Sequence, residues 1–287
     1  MNSKLKLAVL SALLLFGSFL FADIAFYGDT QSDEVSHRKV IAAIAAHKPE
    51  IAFHCGDLNS RGTAQSEYDT FFEISKPLTS ICPIYPARGN HERSTELFLA
   101  NFPFLGTSTY YIKEFNGIRF IVLDSTMDLS PNSAQYKWLE TALQDTLPGI
   151  IILHYPIFSS GYHGDEQGLR LYLPQLLKRS NVKAVFSGHD HDYERSEYDG
   201  ITYVVSGGGG GTIRETRNPN PYSKVFNLTH HYIIAKHADG KLSFNAWDID
   251  NKLIDSFVLT GFLLLPIFHG SAVMRDNNGA SHHKCHS

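Results

Sequence analysis

The sequence predicts an α/β domain in which two packed β-sheets are flanked by helices. Three observations lead there. Short apolar runs alternate with helical stretches through the first half, which calls for crossover connections and buried parallel strands. An Asn-Gly pair between two strand-like runs marks a hairpin, and the second half then reads mainly as strand. Neither repeat nor linker interrupts the pattern, so one domain is expected over residues 23–260.

The elements follow in order. Asp23 to Gly28 is the first strand, and the helix after it carries Val35, Val40, Ile41, Ile44 and Ala45. Ile51 to Cys55 is the second strand, and Tyr68, Phe71, Phe72 and Ile74 belong to the next helix. Ile81 to Tyr85 is the third strand. Tyr110 to Phe115 and Ile118 to Leu123 pair across a type I′ turn at Asn116-Gly117. A helix from Ala134 to Gln144 places Trp138, Leu139 and Leu143 on one face and leads to the strand Ile150 to Leu153. Pro174 should kink or restart the helix from Leu169 to Lys178. Val182 to Phe186, Ile201 to Val205, Tyr232 to Lys236, Leu242 to Trp247 and Leu253 to Leu259 complete the strands.

Both ends fall outside this plan. Lys4 and Lys6 precede an apolar run from Leu7 to Ala22, the pattern of a secretory signal peptide over residues 1–22. The run is short for a membrane span, so the expected protein is exported, periplasmic or secreted, and tethered only if the leader is retained. Residues 261–287 read as an apolar stretch, Phe262 to Phe268, followed by a polar tail.

Of 287 residues, 43% are hydrophobic and 19% charged, and 25 Lys+Arg stand against 29 Asp+Glu for a net charge of −4. That balance excludes a disordered or fibrous chain and offers no basic surface for nucleic acid. Three cysteines are too few for a disulfide scaffold; Cys55 and Cys82 either pair or remain buried thiols. Fifteen histidines, several beside Asp, Asn and Gly, direct attention to metal chemistry.

Five segments concentrate metal-ligand residue types, and each follows an expected strand. They are Gly28-Asp29-Thr30-Gln31, Gly56-Asp57-Leu58-Asn59, Gly89-Asn90-His91-Glu92, His154-Tyr155-Pro156 and Gly188-His189-Asp190-His191. Loops at the C-terminal ends of parallel strands converge on one crevice, so residues distant in sequence can share a site. Two carboxylates, an amide oxygen and three imidazoles form a nitrogen–oxygen set suited to Zn, Mn or Fe. Six ligands exceed the need of one tetrahedral ion, and two divalent or trivalent ions are the economical reading. The glycines are expected to let the chain turn tightly as it leaves each strand.

This ordered motif set resembles the calcineurin-like metallophosphoesterase superfamily, and Gly188 to Arg195 looks most like its purple-acid-phosphatase branch. The resemblance implies a four-layer αββα sandwich of two mixed β-sheets flanked by helices. It implies that Asp29 and His191 bind one metal, that Asp57 bridges, and that Asn90, His154 and His189 complete the second site. His91 would face the substrate as proton donor, oriented by Glu92 or another carboxylate. His163 would contact phosphate or be an exposed loop histidine. Two departures matter. Gln31 stands where many relatives have histidine, so its amide would bind metal weakly or through water. Ser60 stands where purple acid phosphatases have an iron-binding tyrosine, so a colourless protein is expected.

The expected activity is hydrolysis of phosphate monoesters on a small-molecule substrate, by metal-activated hydroxide attack on phosphorus. A phosphodiesterase acting on nucleotides or phospholipid head groups and a non-catalytic metal-binding scaffold are the alternatives. Gly207 to Gly211 lacks the Gly-Lys-Ser/Thr of a phosphate-binding loop and is expected as a flexible rim loop near the pocket.

Overall fold

The computed structural model describes residues 22–215 and 219–262. The leader before Ala22 and the tail beyond Phe262 lie outside the described residues. Phe262 is fully buried and its backbone N–H bonds to the Gly240 carbonyl, so the last described residue is docked.

Thirteen strands form two mixed sheets among the described residues. The first is six-stranded, in the order β13 (Leu253–Thr260), β12 (Lys241–Asp248), β11 (His231–Ala238), β1 (Ala22–Tyr27), β2 (Ile51–His54), β3 (Ile84–Pro86). β1 to β3 run parallel, whereas β11 to β13 are antiparallel meanders added to β1. The second sheet has seven strands. Its order is β10 (Ser223–Asn227), β8 (Tyr193–Tyr198), β9 (Ile201–Ser206), β7 (Val182–Ser187), β6 (Gly149–Ile152), β5 (Ile118–Val122), β4 (Tyr111–Phe115). Its centre, β9-β7-β6-β5, is parallel, and both flanks are antiparallel.

Strand periodicity explains the four layers. Side chains alternate across a strand, so Ile24 and Phe26 of β1 point one way and Ala25 and Tyr27 the other. The first set meets Phe53, Phe120, Val122, Ile152 and Phe186 in an inter-sheet core, with the Phe26 and Phe186 rings stacked at 4.2 Å. The second set packs beneath α1 (Glu34–Ala46) and α2 (Gln65–Thr79) through Val40, Ile41, Ile44, Tyr68 and Phe71. On the far side, α4 (Ala134–Ala142) and α5 (Gln167–Leu177) cover Ile121, Ile151 and Val185 with Leu139, Leu169 and Leu173. The result is the four-layer αββα sandwich.

Several local expectations change. The third strand starts at Ile84, and Ile81 lies 45% exposed in the preceding turn. α5 runs unbroken through Pro174. A short helix α3 (Thr95–Asn101) and strands β8 and β10 are additions to the expected set. The hairpin turn is as expected, with Asn116 and Gly117 at φ 49° and 74°. Cys55 and Cys82 are buried free thiols, not a disulfide.

Candidate metal centre

The five loops do converge. One ligand atom each from Asp57, His154 and His189 lie within 4.8 Å of one another. His154 Nε2 is 2.9 Å from Asn90 Oδ1 and 3.4 Å from Asp57 Oδ2. On the other side of Asp57, His191 Nε2 is 3.6 Å from Asp29 Oδ1. The two sides meet through Gln31, whose Nε2 donates to Asp57 Oδ2 at 3.2 Å and lies 3.3 Å from His191 Nε2. All six expected ligands and Gln31 therefore occupy one crevice at the strand ends.

The backbone at the ligands is unusual. Asp29, Asp57 and His189 adopt left-handed conformations, with φ of 57°, 58° and 73°. Such residues cost about 1 kcal/mol or more each and persist where the surroundings fix them. The glycines serve a different end from the expected one. Only Gly56, at φ 91°, needs its conformational freedom; Gly28, Gly89 and Gly188 have ordinary φ. What these three supply is room. A Cβ on Gly89 would stand 2.2 Å from Asp57 Oδ1, and one on Gly188 would stand 2.1 Å from Asp29 Oδ2. The ligand carboxylates lie in the volume a side chain would fill.

Fixed acceptors set the imidazole tautomers. His154 Nδ1–H donates to the Cys55 carbonyl at 2.9 Å and His191 Nδ1–H to the Thr212 carbonyl at 2.7 Å, which leaves each Nε2 for metal. The His189 ring is held edge-on by Tyr155, with centroids 4.6 Å apart. Glu92 does not orient His91. Its two oxygens accept backbone N–H groups of Asp57, Leu58 and Gly89 at 2.8–2.9 Å, so it fastens the Asp57 loop. His91 is instead held by the carbonyl of Ser60, which accepts from Nδ1 at 2.5 Å. Its Nε2 looks toward Asp57 Oδ2, 3.8 Å away, and the side chain is 32% exposed.

The loop after His154 is latched by two buried carboxylates absent from the expected set. Asp190 accepts from Ser159 Oγ and from the backbone of His163 and Gly164, and Glu194 accepts from the backbone and hydroxyl of Ser160. This brings the His163 ring to 4.2 Å from that of His189. Gly207 to Gly211 is buried, with Gly209 and Gly211 bonded to the carbonyls of Gly28 and Asp29, so the flexible rim loop is a packed wall. A Cβ on Gly211 would stand 2.6 Å from the His191 ring.

Electrostatics match a cation-binding cluster. Burial pushes the Asp29 carboxyl well above the usual range, against the pull of His154 and with the Asp57 charge adding to the rise. Burial also works against the Asp57 charge, but His154 overrides it and holds that carboxyl at about 2. Conversely, burial alone would strip His154 of its proton, yet Asp57 lifts it to about 10. Burial and then the His154 charge press His189 down to about 2, and burial lowers His191. A cation that displaced the His154 proton would leave two buried carboxylates to neutralise and would relieve the burial cost now borne by Asp29. Gln31 Oε1 is a buried acceptor without a partner. An amide turned by half a turn would offer that oxygen where Nε2 now meets Asp57 and His191. The donor set fits a pair of Zn, Mn or Fe ions.

Comparison with known proteins agrees with this geometry. A relative in Arabidopsis thaliana, purple acid phosphatase 18, is 31% identical over 205 residues, covering 60% of this chain and 46% of that protein. Probable purple acid phosphatase 20 of the same plant is 30% identical over 237 residues, 70% of this chain and 55% of that protein. The chain thus spans about half the length of these relatives. Purple acid phosphatase PPD1 from yellow lupin shares the fold at a TM-score of 0.72 and 19% identity, over 85% of this chain and 54% of that one. GAP50, described as the anchor in the inner membrane complex of Plasmodium, does so at 0.69 and 16%, over 84% and 89%. The family model for calcineurin-like phosphoesterases matches residues 22–193, which hold all five loops. The chain belongs to the calcineurin-like phosphoesterase family.

Proposed function

We propose that the chain is an exported binuclear-metal phosphoesterase that hydrolyses phosphate monoesters. The observation that carries this reading is the convergence of Asp57, His154 and His189 within 4.8 Å, beside a partly exposed His91 whose Nε2 faces the same carboxylate. Asp29, Gln31 and His191 would hold one ion and Asn90, His154 and His189 the other, with Asp57 shared. Such ions activate water and neutralise charge on phosphoryl oxygens.

The chain's own residues supply the rest. The Ser60 carbonyl fixes the proton on His91 Nδ1, so the imidazolium form carries its second proton on Nε2, on the side of the cluster. From there it can be given to the leaving oxygen as the ester bond breaks. Tyr155, His189 and the exposed His163 stack their rings along one side of the cluster.

The test is hydrolysis of p-nitrophenyl phosphate and bis-p-nitrophenyl phosphate with added Mn, Zn or Fe and with chelator. Metal-dependent turnover that favours the monoester is expected. His91→Asn should keep its metal and lose kcat by about 100-fold. Unchanged kcat at normal metal content would remove His91 from the mechanism, and no turnover with any metal would favour a scaffold. Export rests on the leader pattern at Lys4, Lys6 and Leu7 to Ala22. Intact mass of the secreted protein tests it, and a retained Met1 counts against cleavage.

A further inference from the structure

Arg214 stands at the edge of the cluster, and among the described residues no carboxylate pairs with it. Its Nη1 donates to His163 Nε2 at 2.8 Å, and its guanidinium carbon lies 5.1 Å from the centre of the Tyr162 ring. Among the described residues these are its contacts, and the side chain is exposed. Arg88 shows the contrast. That guanidinium is 14% exposed and bound to Asp124, Thr126 and the Glu92 carbonyl, with its charge already matched.

The bond from Arg214 has a chemical consequence for His163. Guanidinium only donates, so His163 Nε2 must accept, and that imidazole is neutral with its lone pair already engaged. His163 Nε2 therefore has no proton to offer an anion. The guanidinium next to it does, since one of its five N–H groups is used by His163 and no other hydrogen bond of Arg214 is found among the described residues. The backbone of His163 is tied to Asp190 at 2.7 Å and its ring rests 4.2 Å from His189, so the imidazole acts as a strut holding Arg214 over the ligands.

We propose that Arg214 is the specificity-determining residue that selects phosphate monoesters over diesters, a proposal that rests on the phosphoesterase reading above. A monoester dianion has three unesterified oxygens, and a diester monoanion has two. With two oxygens turned toward the ligand cluster, only the monoester keeps a third for a charge-assisted bond to guanidinium. The second negative charge adds attraction that a diester lacks. His163 positions Arg214 and does not itself bind phosphate.

The test compares Arg214→Gln, Arg214→Lys and His163→Ala in the full, metal-loaded chain. Metal content and melting temperature are measured in parallel, and Arg214 is exposed enough that its variants should fold. Arg214→Gln is expected to lose about 10- to 100-fold in kcat/KM on p-nitrophenyl phosphate, chiefly through KM, and less than about 3-fold on the diester. Its affinity for inorganic phosphate, read by calorimetry, should fall by a similar factor. Arg214→Lys should recover part of the loss by keeping the charge without the fork. Equal losses on both esters, or unchanged phosphate affinity, would overturn the assignment. So would a loss in His163→Ala with none in Arg214→Gln, since the histidine would then be the contact. If the wild-type chain turns over neither ester, the phosphoesterase reading fails, and calorimetry with inorganic phosphate still decides whether Arg214 binds the anion.

Discussion

The two halves of the candidate metal centre are built from the same residue types and differ in construction. In one half, Asp57, His154 and His189 bring their ligand atoms within 4.8 Å, and His154 Nε2 also meets Asn90 Oδ1 at 2.9 Å. In the other, His191 and Asp29 stand 3.6 Å apart, and a neutral amide, Gln31, fills the gap toward Asp57. The first half owes its closeness to an internal ion pair, with His154 lifted to about 10 and Asp57 held at about 2. The second has only neutral imidazole and a carboxyl pushed up by burial. Ligand identity alone therefore does not set how well a site is made. The contrast predicts a tight site and a loose one joined at Asp57.

The sharpest way to break this view is at the joint. Asn tolerates the left-handed conformation at position 57, so Asp57→Asn should fold while removing a charge both halves share. Both ions should be lost on elemental analysis, with kcat down by about 1,000-fold or more. Retention of one full equivalent of metal would mean the halves are independent. A smaller effect is expected at the loose half. Gln31→His replaces an amide by imidazole and should tighten that site by about 10-fold, read by competition with a chelator. No change would show that position 31 does not face the ion.

These two halves also mark what was legible in the sequence. Asp29, Asp57, Asn90, His154, His189 and His191 could be picked out because each follows an apolar strand, and parallel strand ends converge. Two packed sheets flanked by helices followed from the alternation of strand and helix runs, and the four-layer order from the family resemblance. Other features carried no such signal. Strand β8, Tyr-Glu-Arg-Ser-Glu-Tyr, turns Tyr193 into the inter-sheet core but buries the polar Glu194 and Ser196 on its other face, so its period is invisible to hydropathy. Asp190 sits between two expected ligands, yet it faces the Ser159 loop, because the left-handed turn at His189 and the bend after it send its side chain away from the crevice. Arg214 lies beyond the last motif and reaches the site only because the glycine wall is bonded to Gly28 and Asp29. The left-handed ligands could not be inferred, since preceding glycines suggested that the strain lay on them.

Protonation offers a gentler probe of the tight half. At neutral pH His154 carries a proton on Nε2, the atom a metal must take. Binding should therefore expel about one proton from this residue, and affinity should rise with pH by up to about 10-fold per unit below pH 10. Calorimetry in buffers of different ionisation enthalpy measures the release, and His154→Asn should abolish that share of it.

The smallest effect concerns what holds the halves in register. His54 is fully buried between the two aspartate loops. Its Nδ1 accepts from the Gly56 N–H at 3.2 Å, so Nε2 carries the proton and donates to Thr30 Oγ1 at 3.1 Å, which in turn donates to the Leu58 carbonyl. One neutral ring thus ties the loop of Asp29 to the loop of Asp57. His54→Phe keeps the volume and removes both bonds, at a cost of about 1–3 kcal/mol, or a fall of about 3–8 °C in Tm at pH 8. The pH dependence has a definite sign. Burial holds His54 well below its usual value, so below pH 6.5 the unfolded chain takes up a proton that the folded one refuses. Wild-type stability from this group is complete above pH 6.5 and drains away as the pH falls, whereas the variant has no such loss. The gap in Tm should accordingly shrink from pH 7 to pH 5, measured with chelator present so that metal release does not contribute. A gap that stays constant or widens would mean that His54 is already charged in the fold, and that the two loops are held by Thr30 and Leu58 alone.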